Sequence, residues 1–107
     1  MNAEEFATIF KKEKDNLQHD YLKSQRTMAN KLIGELHLDE KQMLIMERLI
    51  NVLLTDVFYT ILLGLDGASN IGGIQQIYKL YDENGNLISD CGDLEAAAYK
   101  VFHEEEV

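Results

Sequence analysis

The sequence predicts a single α+β domain over residues 1–107, with N-terminal helices and a long central helix packed against a small antiparallel hairpin, followed by a C-terminal helix. Three observations lead there. Apolar residues recur at helical spacing over the first sixty positions, the period then changes to alternation around the turn-rich DENGN, and the chain has no proline to interrupt a helix. A chain of 107 residues, 46% hydrophobic and 27% charged, suffices for one core and not for two.

The N-terminal helical region begins with Asn2 and Glu5 as a capping pair, after which Phe6, Ile9 and Phe10 mark one face. Leu17, Tyr21, Met28, Leu32, Ile33 and Leu36 continue the pattern on a polar background. The low-propensity pair Asp15 and Asn16 is the expected joint if two helices cover this region. In HLDEKQMLIMERLI, Asp39 and Gln42 stand in the capping-box relation, which starts a central helix from about Glu40 to Leu63, roughly 36 Å long at 1.5 Å per residue. Its polar positions Glu40, Glu47, Arg48, Asn51 and Thr55 predict a solvent stripe ending near the middle; beyond it Val57, Phe58, Tyr59, Ile61, Leu62 and Leu63 predict burial on all sides.

The stretch GLDGASNIGG then ends the helix. In IQQIYKLYDENGNLIS the alternation places Ile77, Lys79 and Tyr81 on one face and Tyr78 and Leu80 on the other, with Asn84 and Gly85 suited to a tight turn. A lone hairpin is marginal, so its apolar face needs a helix or another strand. Asp90 or Asp93 is the expected cap of the last helix, whose apolar stripe is Leu94, Ala97, Ala98, Val101 and Phe102; the closing HEEEV is expected to fray.

The net charge of −9 is unevenly distributed. Residues 1–50 carry eight basic and nine acidic side chains, whereas residues 51–107 carry two basic and ten acidic ones, with no Lys or Arg from Leu49 through Tyr78. Asp66, Asp82, Glu83, Asp90, Asp93 and Glu95 therefore predict a negative field at one end of the domain. Such a field repels nucleic-acid phosphates and anionic membranes and favours a cation or a basic protein. The N-terminus lacks the basic and apolar regions of a secretory signal, and the apolar run Leu49–Leu65 contains Asn51, Thr55, Asp56 and Thr60, which fits a core helix better than a membrane span. One cysteine, Cys91, cannot form an internal disulfide, so a cytoplasmic location is expected.

Catalytic and ligand motifs are weak. Gly67 and Gly72 have the spacing of a phosphate-binding P-loop, but Gly73 and Ile74 replace its Lys and Ser or Thr, and no strand precedes the loop as a dinucleotide fold requires. Asp82, Asn84 and Asn86 match the first ligands of a calcium loop, but Leu87 stands where that loop needs glycine and Asp93 where it needs glutamate. No cofactor or metal is implied. His19, His37 and His103 lack spaced partners, Ser69 lacks a nucleophile elbow, and flanking acids disfavour a thiolate at Cys91. Asp56, among apolar neighbours, is expected to be partly buried and held by N–H groups of the glycine loop; the alternative is a catalytic carboxylate of a small hydrolase or isomerase.

These features fit a small acidic module that binds a basic protein, with Tyr78 and Tyr81 as anchors within the acidic rim. In size and charge the chain resembles the broad class of bacterial immunity and antitoxin proteins. That likeness implies neutralisation of a basic partner such as a toxin, and carries over no residue roles. A third possibility is a homodimer without catalytic activity, paired through the apolar face of residues 17–36.

Overall fold

The computed structural model describes residues 1–90 and 92–104, so Cys91 and the last residues of HEEEV lie outside the described residues. Four helices follow in order: α1 (Ala3–Lys23), α2 (Met28–Glu35), α3 (Glu40–Leu65) and α4 (Asp93–Tyr99), the last running into a π-helical turn, Lys100–Glu104. The fold is all-helical among the described residues, which overturns the α+β expectation.

Each helix start follows from local chemistry. Asn2 Oδ1 accepts from the Glu5 N–H at 2.8 Å and so caps α1. No break occurs at Asp15 and Asn16; α1 runs to Lys23, and the joint is a short turn at 24–27. There Thr27 caps α2 by accepting from the Asn30 N–H, while the Asn30 amide donates back to the Tyr21 carbonyl, fixing α2 against the end of α1. Asp39 and Gln42 complete the capping box of α3 with reciprocal bonds of 2.8 and 3.0 Å.

Helices α1 and α3 run antiparallel, because Phe10 meets Phe58 edge-on at 5.8 Å, Lys14 meets Asn51, and Lys23 lies 4.0 Å from Glu47. The core lies at one end of this pair, where alanines 3 and 7 of α1 and 97 and 98 of α4 let the backbones approach around Leu62, Leu94 and Phe102. Burying side chains such as Leu62 and Phe102 contributes about 1.5–3 kcal/mol each.

The predicted hairpin is absent. Residues 75–80 form no strand, and the two arms meet in a single antiparallel bridge between Tyr81 and Leu87, where the Ile88 N–H donates to the Leu80 carbonyl at 2.7 Å and the Asp82 N–H to the Asn86 carbonyl at 3.0 Å. Side chains supply further bonds in place of a longer ladder. Asp82 Oδ1 accepts from the N–H groups of Asn84 and Asn86, and Ser89 Oγ accepts from the Leu80 N–H while donating to the Tyr78 carbonyl. With no third strand against which to pair, two arms of this length do not make a sheet. The expected alternation survives in exposure alone: Ile77, Lys79 and Tyr81 face solvent, while Tyr78 and Leu80 are half-buried.

The stretch GLDGASNIGG is a helix terminator. Gly67, at φ 81°, follows the C-cap Asp66; its N–H reaches the Gly64 carbonyl and the Ala68 N–H reaches that of Leu63, a Schellman arrangement. Gly64 is buried because a Cβ there would collide with Ile71, which folds back over the helix end.

Of the predicted solvent stripe of α3, Glu40 and Arg48 are exposed, but the other three residues turn inward. Glu47, Asn51 and Thr55 face α1, with Thr55 buried, whereas Ile45, Leu49, Val52, Leu53 and Val57 point to solvent. The second half is not buried all round, since Val57 and Ile61 are exposed. By length and composition α3 is apolar enough to cross a membrane, whereas its polar residues suggested a core helix.

Candidate functional site

The acidic residues divide into two groups once their bonds are counted. Asp66 at the end of α3 accepts a hydrogen bond from the Glu95 N–H at 3.0 Å and so caps α4 from outside; Gly92, the N-cap itself, has no side chain to do so. Asp82 is turned inward to its own loop. It accepts from Asn84 and Asn86, and its Oδ2 lies 2.5 Å from the Met1 amine. The amine first, then the Asn86 and Asn84 donors, hold the Asp82 carboxyl well below the usual carboxylate range.

Glu83, Asp90, Asp93 and Glu95 are exposed, and their carboxylates have no hydrogen-bond or ion-pair partner among the described residues. Asp90 and Asp93 are joined through the backbone, the Asp93 N–H donating to the Asp90 carbonyl at 2.8 Å. Tyr81 is 57% exposed, while Tyr78 is half-buried. Ile74 and Ile77 accompany Tyr81 on this surface, Ile77 being 73% exposed. The alternation placed Ile77 and Tyr81 on one strand face; without the sheet both stand exposed.

Asp56 is exposed on the outer face of α3 and takes no hydrogen bond from the glycine loop among the described residues, so the expected partial burial does not hold. No hydrogen bond or ion pair joins it to a nucleophile or base among the described residues. His103 stacks edge-on against Tyr59 at 4.5 Å and lies 5.5 Å from the Tyr99 ring. Burial, followed by the nearby Glu95 charge, raises the Tyr59 hydroxyl above its ordinary value, which suits a packing role and not proton transfer near neutrality. No group of three potential metal ligands occurs among the described residues.

Two apolar surfaces stand exposed. One, the outer face of α3, was not expected from sequence; the other is part of the 17–36 face offered above for pairing, where Met28, Leu32 and Leu36 are exposed at helical spacing and Leu17, Tyr21 and Ile33 are half-buried. The signal for both was present as apolar periodicity, but periodicity does not say whether the face meets this chain or another molecule.

Comparison with protein-family models, curated proteins and solved structures gave no match. The functional reading therefore rests on these surfaces.

Proposed function

We propose that the protein is a non-catalytic interaction module of the cytoplasm that binds and neutralises a basic protein partner through residues 66–95. One observation carries the reading: Ile74, Ile77 and Tyr81 stand exposed in a segment whose acids Glu83, Asp90, Asp93 and Glu95 have no internal partners among the described residues. Apolar and aromatic anchors within a charged rim are the arrangement that gives an interface both affinity and rapid, steered association. Asp66 and Asp82 add negative field, but Asp66 caps α4 and Asp82 holds its own loop, so their side chains are less free to meet a partner. No observation favours the hydrolase or isomerase reading, because Asp56 has no companion group among the described residues.

The test is capture of a basic protein from the native host at low and high salt, with Tyr81→Ala and Ile77→Ala as controls. Retention of one basic partner at low salt, weakened in both variants, is the expected outcome. Capture that ignores salt and both substitutions would overturn the reading.

A further inference from the structure

The outer face of α3 is apolar where a monomeric surface helix is polar, and the inner face carries Glu47, Asn51 and Thr55. Val52 and Leu53, at the middle of that face, are 54% and 52% exposed. The shape agrees. The accessible surface is 7404 Å², against roughly 6,100 Å² for a compact monomer of this mass. The radius of gyration is 16.1 Å against about 13 Å for a compact chain of this length. The excess of about 1,300 Å² is more than the ~800 Å² that each partner gives up in a standard interface.

We infer that the outer face of α3 is a self-association surface, in which two copies of the chain pair antiparallel about Val52. The charges select this occupant. Arg48 and Asp56 lie four residues on either side of Val52, both exposed and neither in an ion pair among the described residues. Under a two-fold axis through Val52, residue 48 of one copy faces residue 56 of the other, so the same opposite-charge pair forms twice. Ile45, Leu49 and Leu53 flank the axis. A lipid bilayer would have to take up both ionised side chains near the middle of the helix, which is unfavourable. The surface belongs to α3 and not to residues 66–95, so it stands or falls separately from partner binding.

Sedimentation equilibrium of the full chain at several concentrations tests this, using Arg48→Glu, Asp56→Arg and the double exchange, with far-UV circular dichroism to verify folding. The expected result is a dimer of twice 12.3 kDa. Each single substitution places like charges opposite one another and should weaken dimerisation about tenfold or more, and the double exchange should restore it. A chain that stays monomeric at high concentration, or single variants that dimerise as well as the parent, would overturn the inference. So would co-flotation with phosphatidylcholine vesicles that the single substitutions leave unchanged.

Discussion

The Asp66 carboxylate accepts a hydrogen bond from the Glu95 backbone N–H at 3.0 Å, linking the C-terminus of α3 to the first turn of α4 across twenty-nine residues. Helix α4 begins at a glycine and otherwise lacks a side-chain cap, so Asp66 supplies from another helix what Asp90 or Asp93 was expected to supply locally. Replacing Asp66 with Ala should cost about 1 kcal/mol of stability, the usual value of a lost cap, and Asp66→Asn less. Chemical denaturation measures this; an unchanged midpoint for Asp66→Ala would show that the contact contributes nothing.

Lys14 is 2% exposed, and its ammonium donates to Asn51 across the α1–α3 contact, with Asp15 at 3.4 Å. Asn51→Leu removes an acceptor from a buried charge, which should cost about 1.5–3 kcal/mol. The double change Lys14→Met with Asn51→Leu replaces both polar partners by apolar ones and is expected to recover much of that loss. Thermal melts of the two variants test the order; a double variant less stable than the single one would contradict it.

Gly67 is the one position of the glycine stretch where a side chain meets both a positive φ of 81° and a neighbour, Ile77. Gly67→Ala should lower stability by about 1–2 kcal/mol, the cost of holding an L-residue in that region. Gly72→Ala, also at positive φ but with open space around it, should cost less because no contact is added. Equal losses at the two sites in urea unfolding would mean that the Ile77 contact is irrelevant.

The starts of α1 and α3 were legible from sequence because a cap of this kind is a local event: Asn2 with Glu5, and Asp39 with Gln42, lie within one turn. The hairpin was misread because the same alternation serves an extended segment whose backbone is satisfied by Asp82 and Ser89 side chains, and strand pairing depends on neighbours that periodicity does not encode. The orientation of α3 was misread for a related reason. Both its faces are rich in apolar residues, so the decision rested on a few polar positions, of which Glu47 and Asn51 would be sent to water by sequence logic but are drawn toward α1 by Lys23 and Lys14. At the acidic end the charge was legible, but the diversion of Asp66 into a helix cap and of Asp82 into its own loop required the folded geometry.

The pH response of the 82–86 loop follows from the lowered Asp82 carboxyl and the Met1 amine, which the same contact raises above its ordinary value of 8.0. A carboxyl depressed in the folded state contributes stability that is complete above its ordinary value of 3.8 and lost as pH falls through the lower folded-state value. An amine raised in the folded state contributes stability that is complete below 8.0 and lost as pH rises through its higher folded-state value. The loop should therefore be invariant between these limits. In ¹H–¹⁵N spectra the Asn84 and Asn86 amides, which donate to Asp82 at 2.9 Å, should hold their shifts from pH 8 down to 4 and move only at more acidic pH. Asp82→Asn should abolish that movement. A midpoint at the ordinary value of 3.8 would show that neither the amine nor the loop donors stabilise the ionised carboxylate, and that the loop is held by the Tyr81–Leu87 bridge instead.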